Sequence, residues 1–234
     1  AATSEMRQFC LTAAFFFSLL QQTTGNTKLG FVTTVHSRST RLARETVGSL
    51  MELCPVQVSI APDETIVSLM QQVAAEMKQL LPHYRVGGSR AASDFALDAM
   101  FTFVKRPLLT LNDQPVLQQI VHPGSGSESL AMHVHHLAED NSYELYLDFH
   151  QDVFDSVKQA HALKTLQLLI DRSLQTPTAP LGQTAVPWPC DEPNLVSNGS
   201  LNGSTGNGRA RPSYNPPATP IQTQLQQIWQ DVLG

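Results

Sequence analysis

The feature that most restricts the fold of this chain is a proline-rich, polar tract that begins at Pro177. Nine of the 15 prolines lie at positions 177–220, and residues 197–208 consist almost entirely of Ser, Asn, Gly and Thr. Such a tract has too little apolar surface to offset the entropy lost on folding, so it stays a flexible linker. We therefore predict a folded body over residues 1–176 and a linker over residues 177–218.

A helix is predicted after the linker, over residues 219–234. Thr219-Pro-Ile-Gln222 is a capping box with proline at the first helical position, and an apolar face follows it. A lone helix of this length is marginal in water, so we expect it to pack on further sequence. The chain also begins without Met and stops inside this helix. We expect both ends to be cut from a longer protein.

Composition excludes several classes of protein. Lys and Arg number 15 against 20 Asp and Glu, which gives a net charge of -5. A nucleic-acid partner is disfavoured because the chain lacks the basic patch that phosphates require. The 3 cysteines, Cys10, Cys54 and Cys190, are odd in number and widely spaced, so they predict neither a disulfide framework nor a zinc site. A reducing, cytoplasmic location is the simpler expectation.

The first apolar stretch runs from Cys10 to Leu20. A membrane-spanning helix needs about 20 apolar residues, so we predict no membrane span. The stretch instead predicts a buried helix that is apolar on nearly all sides and ends at Gly25. The alternative is the apolar core of a signal peptide, although no small-x-small cleavage site follows.

The rest of the predicted body mixes strands and helices. Strands are predicted over residues 29–35, 56–60, 97–104 and 116–121, and a hairpin over 130–137 and 142–149. A brief helix is predicted at 42–50, and two longer helices follow caps at Asp63 or Thr65 and at Asp155. Their apolar positions are Ile66, Leu69, Met70, Val73, Met77, Leu80 and Leu81, and Val157, Ala160, Leu163, Leu166, Leu169, Ile170 and Leu174. The fold class is therefore α/β or α+β, with helices covering a mixed sheet.

Histidines are the most conspicuous candidates for chemistry. His135-His-Leu-Ala-Glu-Asp140-Asn141 has the spacing of a catalytic His-His-x-x-x-Asp-Gly motif, but it lies in a predicted hairpin rather than between a strand and a helix. His133 and His135 share one strand face, with His136 on the other. A metal site with His150 is conceivable, yet no carboxylate or Cys is spaced to complete it. We predict no catalytic, cofactor-binding or metal-binding residue in this chain.

Nucleophilic and phosphate-binding motifs also give no candidate. The chain has no Gly-x-Ser-x-Gly elbow and no Walker-type phosphate loop. Cys54 lies in an apolar run beside Pro55, which favours inert burial over reactivity.

Several short motifs occur along the chain in a recognisable order. Residues 47–58, Val-Gly-Ser-Leu-Met-Glu-Leu-Cys-Pro-Val-Gln-Val, are similar to Ile-Gly-x-Phe-Val-Asn-Thr-Leu-Pro-Leu-Arg-Val, with Glu52, Leu53 and Gln57 differing. Residues 99–104 are similar to Asp-Val-Met-Phe-Asn-Tyr, and residues 145–155 to Leu-x-Leu-x-Tyr-x-Thr-Asp-Leu-Phe-Asp. With the helix and strand of residues 11–35, these segments resemble the C-terminal lobe of a nonribosomal peptide synthetase condensation domain. Residues 219–234 resemble the first helix of a peptidyl carrier domain.

The resemblance implies a chloramphenicol-acetyltransferase-like lobe that supplies one wall of a tunnel. In this family, two such lobes join carrier-bound thioesters through an amide bond, and the His-His-x-x-x-Asp-Gly motif lies in the N-terminal lobe. The implied partners are that lobe and the upstream and downstream carrier domains. The implied 4′-phosphopantetheine belongs to those carriers, with no cofactor in this chain. We expect the chain to be inactive alone, and its parent to place a carrier directly after the condensation domain.

Two other interpretations remain open at this stage. One is a non-condensing acyltransferase or epimerisation-type lobe of the same superfamily. The other is a secreted, β-rich binding protein with a signal peptide and glycans at Asn198 and Asn202, which are Asn-x-Ser sites. The helix predicted after the linker is unexplained by the secreted alternative.

Overall fold

The described part of the chain combines four helices with seven strands and two 3₁₀ turns. The computed structural model describes residues 2–36, 38, 40–83, 98–106, 110–112, 114–116, 126, 128–137 and 142–184. The helices are α1 (Ala2–Thr24), α2 (Arg41–Glu45), α3 (Ile66–Leu80) and α4 (Ser156–Gln175). The strands are β1 (Lys28–His36), β2 (Met51–Ser59), β3 (Ala99–Arg106), β4 (Thr110–Leu111), β5 (Gln114–Pro115), β6 (Leu130–Leu137) and β7 (Tyr143–Phe149). Two 3₁₀ turns cover Leu81–His83 and Leu181–Thr184.

Five of these strands form one mixed sheet in the order β2-β1-β3-β6-β7. β1 pairs antiparallel with β2 and parallel with β3, and β6 pairs parallel with β3 and antiparallel with β7. Phe31 on β1 and Phe101 on β3 are fully buried against Phe16 and Phe17 of α1. Because successive strand residues point to opposite sides, the sheet has a helix face, covered by helices, and an opposite side that we call the open face. The predicted fold class is confirmed.

The apolar stretch of residues 10–20 forms the middle of α1, as predicted. Its residues from Ala13 to Leu20 are buried. The helix ends where Gly25 adopts a positive φ of 69° and donates its N–H to the Gln21 carbonyl at 2.8 Å. That left-handed position favours glycine because a Cβ would be strained there. In the described residues no helix is long and apolar enough to cross a membrane.

The caps of the two other long helices are set by local sequence. Thr65, rather than Asp63, caps α3 in a reciprocal pair of hydrogen bonds with Ser68. Asp155 caps α4 by accepting the Lys158 N–H at 2.8 Å. Both helices were predicted, and a capping side chain satisfies backbone donors that have no partner in the first turn.

The side of α4 that is buried does not contain all of the apolar positions that were predicted to pack. Val157, Leu163 and Leu174 are 64%, 53% and 65% exposed. The residues buried on this helix are Ala162, Thr165, Leu166, Leu169 and Ser173. Small and polar side chains are among them, so hydrophobicity alone misidentified part of the packed side of this helix.

Two other predicted elements have different bounds in the structure, and a third lies mostly outside the described residues. The helix predicted at 42–50 ends at Glu45, and the strand predicted at 56–60 begins already at Met51. Residues 117–121 of the strand predicted at 116–121 lie outside the described residues, as does everything after Thr184. The predicted carrier helix and most of the predicted linker therefore stay predictions.

The first residues of the predicted linker are packed against the body. Leu181 is only 4% exposed, and its N–H donates to the Glu64 carbonyl at 2.7 Å. Pro180 forms a bridge with Thr65, the cap of α3. The ordered body thus continues to at least Thr184, because an apolar side chain within the proline-rich segment finds a site beside α3.

We predict that Leu181→Ala lowers the free energy of unfolding by about 2–4 kcal/mol, because it leaves a cavity in the core. Leu174→Ala on the exposed side of α4 is the matched control, and we expect a change within about 0.5 kcal/mol. Urea unfolding followed by circular dichroism measures both. Equal midpoints for the two variants would show that residues 177–184 do not support the fold.

Candidate functional site on the open face of the sheet

A group of polar side chains lies on the open face where β3, β6 and β7 run side by side. Arg106 ends β3, His135 lies on β6, and Glu144 and Tyr146 lie on β7. The register pairs Arg106 with Leu137 and His135 with Glu144, which brings these four side chains to one place. We call them the Arg106 cluster.

Hydrogen bonds connect the Arg106 cluster. Arg106 Nη1 lies 3.1 Å from Glu144 Oε2 and 3.4 Å from His135 Nδ1. The hydroxyl of Tyr146 donates to the same Glu144 oxygen at 2.8 Å. The Arg106 side chain is only 11% exposed, so the carboxylate compensates a cation that has lost much of its water. This network ties β3 to β7 across β6.

Burial keeps His135 neutral. The residue is 5% exposed. Its pKa is lowered from the ordinary value chiefly by burial and also by the Arg106 charge, which outweigh the opposite effect of Glu144. Neutral Nδ1 can then accept the Arg106 N–H, with the proton on Nε2. The ring is therefore an acceptor within a structural network, and its Nδ1 lone pair is already engaged.

Two other described histidines, His133 and His150, lie close to carboxylates of their own. His133 Nε2 lies 3.1 Å from Asp148 Oδ2, and His150 Nδ1 lies 3.8 Å from Asp152 Oδ2. His133 and His135 share the open face as the alternation requires. Among the described residues, no group of three or more His, Cys, Asp or Glu side chains has the arrangement of a metal site.

The His135–His136 pair is split by the strand that carries it. His136 points to the helix face and stacks on Tyr143, with ring centroids 4.8 Å apart and an interplanar angle of 15°. The two imidazoles consequently lie on opposite sides of the sheet, and the predicted hairpin pairing of β6 with β7 is confirmed. Asp140 and Asn141 of the candidate motif lie outside the described residues.

A small cavity lies at the opposite end of the strands from Arg106. It has a volume of about 40 Å³ and is lined by residues that include Thr23, Asp98 and Ser129. Asp98 accepts the N–H of Ser129 at 3.1 Å and is also hydrogen-bonded to its hydroxyl. Ligand pockets for small molecules usually have about 300–1,000 Å³. This cavity is too small for a substrate, and its polar groups join the starts of β3 and β6.

Sequence reasoning missed Arg106, Glu144 and Asp98. The residues of each pair, Arg106 with Glu144 and Asp98 with Ser129, are 38 and 31 positions apart. Opposite charges on neighbouring strands were visible in the sequence. Their contact, however, depends on the strand order and register, which periodicity does not determine.

The two described cysteines have no features of a nucleophile. Both are buried, Cys10 within α1 and Cys54 on β2. Burial raises the pKa of Cys10 to about 11. The thiolate is the reactive form, so this cysteine is inert at neutral pH, as the apolar run around Cys54 predicts for that residue.

Comparison with solved structures identifies the fold. A doubly substituted form of the starter condensation domain of the rhizomide synthetase RzmA matches with a TM-score of 0.63 and 16% identity, over 75% of this chain and 43% of that chain. AB3403, a four-domain nonribosomal peptide synthetase bound to AMP and glycine, matches with a TM-score of 0.62 and 16% identity, over 75% of this chain and 15% of that chain. The first condensation domain of the calcium-dependent antibiotic synthetase, in complex with a substrate analogue, matches with a TM-score of 0.57 and 16% identity, over 74% and 40%.

These matches show the condensation-domain fold, which is chloramphenicol-acetyltransferase-like. The chain spans less than half the length of the condensation domains that it matches. No protein-family model and no curated protein matches the sequence.

We predict that His135 makes stability depend on pH. Because its pKa is lower in the folded state, unfolded chains bind more protons as the pH falls below about 6.5. The free energy of unfolding therefore keeps its full value above the pKa that His135 has in the unfolded chain. It decreases as the pH falls through the lower pKa that His135 has in the folded protein. His135→Gln should flatten the urea midpoint between about pH 7 and pH 5. His36→Gln, at the exposed end of β1, is the control, and an identical slope in both variants would contradict the assignment.

We also predict slow alkylation of Cys10. At pH 8, a thiol of pKa about 11 is ionised roughly two hundred times less than one of pKa about 8.5. Iodoacetamide labelling read by peptide mass spectrometry should therefore be slower at Cys10 in the native protein than in guanidinium by at least two orders of magnitude. Equal labelling rates in the two solutions would show that Cys10 is accessible and ionised.

Proposed function

We propose that this chain is the C-terminal lobe of a nonribosomal peptide synthetase condensation domain. The observation that carries the proposal is the extent of the match. About three quarters of this chain has the condensation-domain fold, yet it accounts for only 43% of the RzmA domain. That fraction is the size of one lobe, and the order of the motifs at residues 47–58, 99–104 and 145–155 supports the same proposal.

The motif residues occupy positions that backbone geometry restricts. Gly48 has a φ of 137°, which other residues rarely adopt. Pro55 lies in the edge strand β2, where the absence of an N–H is tolerated. Asp155 caps α4 immediately after Phe154, which is 1% exposed. The resemblance therefore has a physical basis at these three positions: the positive φ of Gly48, the edge-strand position of Pro55 and the helix cap at Asp155.

The open face is the proposed wall toward a second lobe. Leu53 on β2 and Val104 on β3 expose 42% and 40% of their surface there, and Tyr146 exposes 38%. Helices cover most of the helix face, so we propose that a partner lobe contacts the open face. Leu53 stands where the family pattern has Thr. This substitution of Leu for Thr thus makes the proposed wall less polar.

The proposed reaction is amide-bond formation between two carrier-bound thioesters. No His-His-x-x-x-Asp-Gly occurs in the sequence, and we propose that the N-terminal lobe supplies it. Residues 219–234 are proposed to begin a peptidyl carrier domain, so upstream and downstream carriers are the proposed partners. A cytoplasmic location fits such a synthetase.

Reconstitution tests this proposal. The parent gene should encode a preceding lobe with His-His-x-x-x-Asp-Gly between a strand and a helix. That lobe, mixed with this chain and two loaded carriers, should yield amide product detectable by mass spectrometry, whereas each part alone yields none. Inverted stereochemistry of a thioester without an amide product would instead support the epimerisation alternative, and no product of either kind would contradict the proposal.

Matched variants test the proposed wall. Val104→Asp places a charge on the open face and should weaken association of the two lobes by at least about tenfold, because the buried carboxylate would lack a partner. Val157→Asp, on the exposed side of α4, should leave association unchanged. Isothermal titration calorimetry measures both, and equal affinities would place the wall elsewhere.

A further inference from the structure

The outer edge of β7 presents backbone groups that no described residue pairs. Leu137 donates its N–H to the Ser142 carbonyl, and His150 donates to the Ser129 carbonyl. Hydrogen-bonded pairs alternate along an antiparallel ladder, so the even-numbered residues of β7 bond to β6. The backbone N–H and C=O groups of Tyr143, Leu145 and Leu147 therefore point away from the sheet.

The opposite edge of the sheet is protected. Ile60 donates its N–H to the Thr27 carbonyl, so even-numbered residues of β2 bond to β1 and odd-numbered residues point outward. Pro55 occupies the central outward position, where it removes the donor that an added strand would need. β7, Tyr-Glu-Leu-Tyr-Leu-Asp-Phe, has neither proline nor lysine. Of these two edges, only β7 has a complete set of outward donors.

The exposed side chains of β7 define what can pair there. Leu145 and Tyr143 are each 38% exposed toward the helix face. The Glu144 side chain is 43% exposed on the open face, where its Oε2 accepts from Arg106 and Tyr146. Asp148, which pairs with His133 and is 36% exposed, adds a second carboxylate on that face.

We propose that β7 binds an extended peptide strand in which cationic and apolar residues alternate. Added backbone hydrogen bonds would extend the sheet, the apolar residues would cover Leu145 and Tyr143, and the cationic residues would face Glu144 and Asp148. A second copy of β7 fits less well, because a two-fold axis at Tyr146 sets Glu144 opposite Asp148. The proposal does not depend on the condensation function.

Peptide binding to the full chain tests the proposal. The probe is a fluorescein-labelled peptide, Lys-Val-Lys-Val-Lys-Val-Lys, followed by fluorescence polarisation. We expect an analogue with Glu in place of Lys, the Glu-Val analogue, to bind at least about tenfold more weakly, because it loses charge complementarity. We expect a similar loss when the central valine of the Lys-Val peptide is N-methylated, because that peptide loses a backbone N–H donor. Leu145→Pro should cause a similar loss, while Leu145→Val retains binding.

Hydrogen exchange gives a readout that needs no variant. In the free protein the amides of Leu145 and Leu147 should exchange much faster than that of Tyr146, and the Lys-Val peptide should slow them. Failure of this peptide to bind or to protect these amides would overturn the proposal, as would equal binding of the Glu-Val analogue. A dimer of the chain that Leu145→Pro dissociates would also overturn it, because the occupant would then be a second copy.

Discussion

The packing of α1 against the middle of the sheet holds the described structure together. β1 pairs with β3 over only two residue pairs, Val32 with Met100 and Thr33 with Phe101. Backbone hydrogen bonds therefore join the β2–β1 part only weakly to the β3–β6–β7 part. Phe31 and Phe101, with ring centroids 5.2 Å apart, bridge this junction beneath Phe16 and Phe17 of α1. Burial of these rings, with α3 and α4 on either side, supplies the cohesion that the short parallel ladder lacks.

That packing covers the helix face of the sheet, while the open face carries the Arg106 cluster. The helix face takes most of the aromatic and aliphatic side chains, although the charged residue Glu52 is also buried there. On the open face, Arg106 and Glu144 compensate each other. The open face, which we propose as the wall toward a partner lobe, carries these paired charges on β3, β6 and β7 and an exposed Leu53 on β2.

The parts of this fold that sequence predicts are those set by neighbouring residues. Asp155 caps α4 through a hydrogen bond only three residues away, and the β6–β7 hairpin follows from alternation across a turn. The missed parts depend on distant partners. Leu181 looks like linker because prolines surround it, but it is buried beside Glu64, whose carbonyl is 117 positions earlier. Composition averages over a segment, whereas burial is decided by a single site that another part of the chain provides.

The same distinction explains why a family resemblance at 16% identity can follow the fold without specifying the chemistry. Gly48 and Asp155 satisfy a left-handed backbone position and a helix cap, and a chain needs them whether or not it catalyses a reaction. Two of the differences from the family pattern, Glu52 and Leu53, are neither a left-handed backbone position nor a helix cap. Glu52 is 5% exposed on the helix face, while Leu53 is 42% exposed on the open face. An apolar Leu53 in place of Thr makes the proposed wall less polar at β2.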